Sequence, residues 1–187
     1  MSRWKIGKAP LMLALGAWGL RAAAITYQVD QTVGAGSVTG FIETDGTMGT
    51  LSGTNLLDWN LLLNNGTTTF DLLGPLSGSN SMFVGGGADL SATATQLLFN
   101  FTNTDHGVAA FAVGGGPADF WCSGLDACEV GTPGESLAIG LPAQYTELSG
   151  TQVIASVAPE PSTLGFLSLG VATLTGSRFL LTRKRAS

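Results

Sequence analysis

Short runs of apolar and β-branched residues, bounded by polar and glycine-rich turn residues, fill the chain between residues 25 and 158. Runs of this kind that are rich in β-branched and aromatic residues are typical of strands with one buried face. No helical pattern lies between them, and we therefore expect an all-β fold, an antiparallel β-sandwich of jelly-roll-like type. The predicted strands are Thr26–Val33, Ser37–Thr44, Leu56–Leu63, Thr68–Leu73, Ser81–Val84, Leu90–Thr95, Gln96–Thr102, Val108–Val113, Leu137–Ile139 and Gln152–Val157.

The clearest hairpin signal is the pair Asn65-Gly66, which separates the strands predicted at Leu56–Leu63 and Thr68–Leu73. Asn-Gly readily takes the positive φ values that a two-residue hairpin turn requires. The glycine-rich separators at 85–87 and 114–116 are also interpreted as turns. A phosphate-binding loop would instead follow a strand, open a helix and carry a lysine.

The first 24 residues have the three parts of a secretory signal peptide. Met1–Lys8 carries positive charge, Ala9–Leu20 is apolar, and the small residues Ala22 and Ala24 suit the narrow subsites of a signal peptidase. As a helix, the apolar run reaches only about 18 Å, too short for a bilayer core of about 30 Å. We therefore predict an N-terminal signal helix with cleavage at Ala22 to Ala24.

The C-terminal segment also has three consecutive parts. Pro159-Glu160-Pro161 interrupts regular structure, because each proline lacks an N–H donor and restricts the residue before it. Leu164–Leu181 is largely apolar and would reach about 27 Å as a helix, marginally long enough to cross a membrane. Arg183-Lys184-Arg185 follows it, and the positive-inside rule keeps such a cluster in the cytoplasm. We predict a C-terminal transmembrane helix with a basic stop.

This order of parts resembles the PEP-CTERM sorting segment of exported bacterial proteins. The matching residues are Val157–Thr163, the apolar stretch after them and the terminal Arg183-Lys184-Arg185. The resemblance implies recognition by exosortase, a membrane-embedded enzyme similar to cysteine peptidases. Exosortase is thought to cut near the motif Pro159-Glu160-Pro161 and to pass the protein to the cell surface or to the exopolysaccharide matrix. The chain then divides into a signal peptide (1–24), an exported domain (25–158) and a sorting segment (159–187).

The charges are segregated along the chain. All eight lysines and arginines lie in the first 21 or the last ten residues, whereas residues 25–158 hold twelve carboxylates and no lysine or arginine. Such an anionic body does not suit nucleic-acid binding. It cannot form a lysine or arginine salt bridge within itself, so apolar burial and backbone hydrogen bonds must stabilise it. Mild acid or divalent cations should relieve the repulsion between its carboxylates. The 44% apolar content excludes a disordered acidic chain.

Cys122 and Cys128 are the only cysteines, and five residues separate them in a segment that contains glycine and aspartate. We interpret this segment as a loop, and the pair as a disulfide that staples it, because exported proteins fold in oxidising surroundings. A zinc site would need more cysteine or histidine ligands than the chain offers.

Catalytic machinery is not evident, and we predict no catalytic residues. The only histidine, His106, follows Asp105 and is interpreted as a turn residue in preference to a general base. Hard oxygen ligands are plentiful, which leaves weak Ca²⁺ binding as an alternative to the prediction of no cofactor and no specific metal site. The candidate ligands are Asp45, Asp58, Asp71, Asp89, Asp105, Asp119, Asp126, Glu129 and Glu135.

We therefore expect a non-enzymatic, exported protein of the cell surface or extracellular matrix, structural or adhesive in exopolysaccharide or biofilm. Its expected partners are signal peptidase, exosortase, the membrane before processing, and extracellular polysaccharide. The alternative is a secreted carbohydrate-binding module or carbohydrate-active enzyme. A binding module would need exposed coplanar aromatics, and an enzyme would need two carboxylates about 5 to 10 Å apart in a cleft. Trp59 and Trp121 are more readily explained as core residues than as a sugar platform.

Overall fold

The computed structural model describes residues 23–86, 88–102, 107–114, 119–124 and 132–158. These residues form strands joined by turns, with one short 3₁₀ turn at Gly53–Asn55. The strands are β1 Ile25–Val33, β2 Gly36–Thr44, β3 Gly49–Thr50, β4 Leu56–Asn64, β5 Thr69–Leu73, β6 Ser81–Gly86, β7 Leu90–Ala92, β8 Gln96–Asn100, β9 Val108–Val113, β10 Asp119–Gly124, β11 Gly134–Ile139, β12 Gln144–Glu147 and β13 Thr151–Val157.

The strands form two sheets that pack on each other in the manner of a β-sandwich. The larger sheet has the order β3-β7-β8-β13-β1-β2-β4-β5, and the smaller has the order β12-β11-β10-β9-β6. Each pair of neighbouring strands is antiparallel. The expectation of an all-β, antiparallel fold is confirmed.

An aromatic cluster around Phe111 joins the two sheets. Phe111, on β9 of the smaller sheet, stacks on Trp121 with ring centroids 5.6 Å apart. The ring of Trp59, on β4 of the larger sheet, meets Phe111 edge-on at 5.3 Å. Contacts of this geometry add to the free energy gained by burying the rings themselves. Because Trp59 and Trp121 belong to opposite sheets, the cluster fixes how the two layers face each other.

The ten predicted strands all overlap observed strands, whereas β3, β10 and β12 were not predicted. The interpretation of the segment after Trp121 as a loop was wrong at its start, because β10 pairs with β9 on one side and with β11 on the other. On β10, Trp121 and Ser123 face the sandwich interior, while Phe120 and Cys122 face the other side, and all four are buried. The β10 segment contains none of the β-branched residues from which strands were predicted, and burial on both faces also removes any alternation of apolar and polar residues.

The hairpin between β4 and β5 forms where it was predicted, but its turn is centred one residue later. The backbone N–H of Asn65 donates to the carbonyl of Thr68, so Gly66 and Thr67 are the central residues. Gly66 has a φ of 92°, whereas Asn65 does not have a positive φ. The Asn65 side chain instead accepts hydrogen bonds from the backbone N–H groups of Thr67 and Thr68, at 3.0 and 2.9 Å. Asparagine therefore acts here through its side chain, as in an Asx turn, and glycine supplies the positive φ.

The first and last strands of the described chain lie side by side in the larger sheet. Tyr27 on β1 pairs with Val157 on β13, so the chain enters β1 and leaves β13 at the same end of the sheet. The predicted signal helix and transmembrane helix fall in 1–22 and 159–187, outside the described residues. Within the described ranges, no helix is both long and apolar enough to span a bilayer.

A protein made of residues 25–158 alone should fold, because β13 closes the larger sheet between β8 and β1 without any terminal segment. We expect a β-sheet circular dichroism spectrum and one cooperative unfolding transition. A matched version that ends at Gly150 lacks β13 and should not give that transition. An unfolded 25–158 protein beside a folded full-length chain would contradict this prediction.

Cys122 lies on β10 and is buried, while its predicted partner Cys128 falls in 125–131, outside the described residues. The disulfide therefore stays a prediction. Peptide mapping of the protein from the producing cell, without reduction, should recover both cysteines in one linked species. For a bridge that closes so short a loop, the loss on changing both cysteines to serine should be about 2 kcal/mol of unfolding free energy. Alkylation of both thiols in the unreduced, unfolded protein would show that no bridge forms.

Candidate functional site

Three carboxylate side chains are buried in the described part of the sandwich. Asp58 is 5% exposed, Asp89 is 3% exposed and Glu135 is 2% exposed. An ionised carboxylate inside a protein is very unfavourable unless hydrogen bonds or a positive charge compensate it. Because residues 22–177 contain no lysine or arginine, each of the three must be accommodated in another way.

Asp58, on β4, is held by the loop that follows β5. It accepts hydrogen bonds from the backbone N–H of Leu76 at 3.0 Å and of Ser77 at 3.2 Å, and from the Ser77 hydroxyl. Burial by itself would raise the pKa of Asp58, but the hydrogen bonds from Ser77, Leu76 and Trp59 outweigh it and lower that pKa. The carboxylate is thus fully engaged in anchoring residues 74–80, and its role is structural.

Two other aspartates, Asp45 and Asp119, accept hydrogen bonds from backbone N–H groups of nearby turns. Asp45 accepts from the backbone N–H of Thr47 at 2.9 Å and from the Asn55 amide at 3.1 Å, and these hydrogen bonds lower its pKa. Asp119 accepts from the backbone N–H of Gly140 at 3.0 Å. Asp71 is exposed on β5. None of these three residues is a buried, uncompensated charge.

Glu135 lies on β11 directly opposite Ser123 of β10, on the face that points into the sandwich. Burial raises the pKa of its carboxyl group to about 7. The Ser123 hydroxyl donates to Oε1 at 3.2 Å. Hydrogen bonds from Ser123 and Trp121 lower the pKa of Glu135, but by less than burial raises it. Glu135 therefore changes its protonation state near neutral pH, inside the folded domain.

Asp89 immediately precedes β7 and has no comparable set of hydrogen bonds. Its backbone carbonyl accepts from the N–H of Asn100 at 3.0 Å, but its side-chain Oδ1 is buried and accepts no hydrogen bond from the described residues. The side chain lines a small cavity of about 20 Å³ between the ends of the two sheets. The other lining residues are Phe99, Asn100, Phe101, Gly107, Gly124 and Pro133.

Gly107 makes the close packing around Asp89 possible. A Cβ atom at position 107 would lie 1.6 Å from Oδ2 of Asp89, so any residue other than glycine would displace the carboxylate. The backbone approaches the carboxylate closely at this point, which is a recurrent reason for glycine at binding sites. Asp89 and Gly107 together define the candidate site.

The cavity is large enough for one water molecule or one monatomic ion, but not for a sugar ring. The two tryptophans considered for sugar binding are core residues, since Trp59 is 4% exposed and Trp121 is 1% exposed. The indole N–H of Trp59 donates to the Ser81 hydroxyl at 2.8 Å, which fixes the ring in the interior. Neither tryptophan can provide the exposed platform that the carbohydrate-binding alternative required.

Of the remaining predicted site residues, Ala24 lies within the described ranges and the others lie outside them. Ala24 is exposed and directly precedes β1, where a peptidase could reach it. Among the described residues, no three histidine, cysteine, aspartate or glutamate side chains come together to form a metal site. The residues outside the described ranges are Ala22, Asp105, His106, Asp126, Cys128, Glu129, Pro159, Glu160, Pro161, Arg183, Lys184 and Arg185.

Sequence reasoning did not identify Asp89 or Glu135 as buried. For Glu135 a signal existed, because it alternates with Leu137 and Ile139, and residues two apart on a strand point to the same face. For Asp89 the sequence offered no comparable signal of burial. It follows a glycine run and precedes a three-residue strand, so its surroundings are set by distant segments at 99–101, 107 and 124.

The raised pKa of Glu135 predicts a pH-dependent stability. The folded state binds the proton more tightly than the unfolded state, whose glutamate pKa is near 4.5. Its contribution to the free energy of unfolding is complete below pH 4.5 and is lost as the pH rises through about 7. The free energy of unfolding should fall by an amount on the order of 3 kcal/mol over this range. Glu135→Gln mimics the neutral acid and should remove this slope, so that the variant is more stable than the wild type at pH 8.

Urea unfolding at a series of pH values measures this effect, and Glu147→Gln is the matched control. Glu147 is exposed on the neighbouring strand β12, so its variant should keep the wild-type slope. A wild-type slope in Glu135→Gln would mean that another group carries the pH dependence.

Comparison with known proteins found no matching family model, no matching curated protein and no matching solved structure. The residues of this chain and their arrangement are therefore the only basis for inferring its function.

Proposed function

We propose that this chain is a non-enzymatic, exported protein of the bacterial cell surface or extracellular matrix, delivered by a signal peptide and processed by an exosortase-type sorting system. The observation that carries the proposal is the pairing of β1 with β13. Because the first and last strands pair with each other, the two terminal segments join the domain at one end of one sheet. Export and sorting signals placed there can be removed without taking a strand from either sheet.

The exposed residues next to β1 support removal of the N-terminal segment. Ala23 and Ala24 are exposed and belong to no strand, and Ile25 begins β1. Signal peptidases need small residues in an accessible, extended segment before the cut. Cleavage at Ala22 to Ala24 would leave the whole of β1 in the mature protein.

The distribution of charge supports delivery outside the cytoplasm. All positive charges lie in the segments assigned to targeting, and the body between them is anionic. Positive charge before the signal helix and after the membrane span retains those ends on the cytoplasmic side. The proposal thus includes a three-part chain, with a jelly-roll-like sandwich at 25–158 between a signal helix and a transmembrane helix.

The outer face of the larger sheet supports a structural or adhesive role in hydrated polysaccharide. Along β1, the exposed side chains are Thr26, Gln28, Asp30 and Thr32. Hydroxyl and amide groups can exchange hydrogen bonds with neutral sugars. Exposed carboxylates such as Asp30 can join anionic polymers only through bridging cations, since the domain has no lysine or arginine of its own.

Intact-mass spectrometry of the protein from the producing bacterium tests the proposal. With the sorting enzyme present, the mature chain should lack residues from the C-terminal segment, and it should begin near residues 22–25. Without the enzyme, the C-terminal segment should remain. Identical masses in the two strains would refute processing by this route.

The double variant Pro159→Ala, Glu160→Ala should keep its C-terminal segment even when the sorting enzyme is present, because the recognition motif is gone. Glu147→Ala provides the matched control, as it removes an exposed carboxylate from the same part of the chain while leaving the motif intact. Normal processing of the motif variant would show that these residues are not the recognition signal.

A further inference from the structure

We propose that β6, the outermost strand of the smaller sheet, pairs with the β6 strand of a second copy of this chain. The smaller sheet has the order β12-β11-β10-β9-β6, so β6 has a neighbouring strand on one side only. It pairs with β9 along its whole length, from Ser81 to Gly86, without a bulge. Every second residue of an antiparallel strand directs its backbone N–H and C=O away from its partner. These groups form a row on the free side of the strand, which we call the β6 edge.

The other three sheet edges have features that oppose pairing with a further strand. An exposed edge is commonly protected by being short, by carrying charge or by having its backbone groups covered. β3 has two residues, and β12 has four and carries the exposed carboxylate of Glu147. Along β5, the Asn80 side chain accepts a hydrogen bond from the N–H of Leu73 at 2.7 Å and donates one to the carbonyl of Asp71 at 2.8 Å.

The β6 edge has none of these features in the described part of the chain. β6 has six residues, and none of them is charged or a proline. No hydrogen bond from the other described residues reaches its backbone on the free side. The turn at Gly53–Asn55 approaches the ring of Phe83, which points into the sandwich and contacts Phe111 at 5.1 Å. That contact involves the inward-pointing ring and not the backbone of the β6 edge.

The outward side chains of β6 are apolar. Met82 is 51% exposed and Val84 is 49% exposed. They lie opposite Ala112 and Ala110 of β9, which pack on the outer face of the smaller sheet. Apolar side chains that are exposed together mark a surface for association with another protein. The β6 edge thus combines backbone hydrogen-bonding groups with side chains that favour burial.

The distribution of charge favours a second copy of the chain as the partner. Residues 25–158 hold twelve carboxylates and no lysine or arginine, so two copies repel each other wherever their carboxylates meet. No residue between Asp71 and Asp89 is charged. Contact through β6 therefore places no charged residue in either of the two paired strands.

The sequence of β6 is also self-complementary. In an antiparallel pair centred on Phe83, Met82 of each copy lies opposite Val84 of the other copy. Apolar cross-strand pairs of this kind stabilise a sheet. The product is a closed dimer with twofold symmetry, in which the two smaller sheets become one continuous sheet. This inference goes beyond the proposed function and does not depend on processing by exosortase.

Analytical ultracentrifugation of the full-length chain in a density-matched detergent tests for the dimer. Because an interface confined to one edge is small, we expect a shift from monomer to dimer between roughly 1 and 200 µM. A monomer throughout this range would overturn the proposal.

Val84→Glu places a carboxylate next to the β6 edge and should weaken dimerisation by at least about tenfold, because charge on an edge strand opposes pairing. Thr32→Glu is the matched control. Thr32 is exposed on β1, which has a neighbour on each side in the larger sheet, and its variant should dimerise within about twofold of the wild type. Equal dimerisation by the two variants would assign self-association to another surface, such as the apolar terminal segments, and overturn the proposal.

A photo-crosslink tests the partner and the register, and it remains decisive if Val84→Glu does not fold. A benzophenone amino acid replaces Met82, and circular dichroism checks that the variant keeps its β-sheet spectrum. Irradiation in the producing cell should give a covalent dimer whose link lies in the peptide that contains Val84 of the second copy. A link to a different protein, or to another part of the second copy, would contradict pairing through β6.

Discussion

The absence of lysine and arginine from the folded domain is the constraint on which the rest of its structure depends. Every buried carboxylate must be accommodated without a salt bridge to these residues, and the domain uses different means to do so. Asp58 is surrounded by backbone N–H groups and a serine hydroxyl, and burial shifts the pKa of Glu135 toward neutrality. Asp89 packs closely against Gly107, and its buried Oδ1 accepts no hydrogen bond from the described residues.

The same constraint leaves apolar packing and backbone pairing as the main sources of stability. The two sheets are joined through an aromatic cluster in which Phe111 contacts Trp59, Phe83 and Trp121. Polar groups next to this cluster are hydrogen-bonded in a chain. The Trp59 indole donates to the Ser81 hydroxyl, which donates in turn to the Leu73 carbonyl. Because the domain has no lysine or arginine ion pair, salt should act on its stability by screening the repulsion between carboxylates, and pH should act through the buried Glu135.

The segregation of charge connects the fold with the proposed function. Positive residues are confined to the two ends of the chain, and β1 and β13 bring the adjoining ends of the domain to one end of the larger sheet. The anionic domain is then suited to surroundings that contain divalent cations, which can screen its surface. Under the proposed function, the positive ends would serve targeting and the negative charge would keep the body between them soluble.

The sequence alone predicted the all-β class and the approximate place of ten strands, because β-branched runs and turn residues are local signals. It did not determine β10, since Phe120 and Cys122 on one face and Trp121 and Ser123 on the other are all buried. Nor did it determine the pairing of β1 with β13 or the surroundings of Asp89, which bring together residues far apart along the chain. Such contacts form when the sheets assemble, because burial and hydrogen-bond partners at one residue depend on distant segments whose positions no local pattern records.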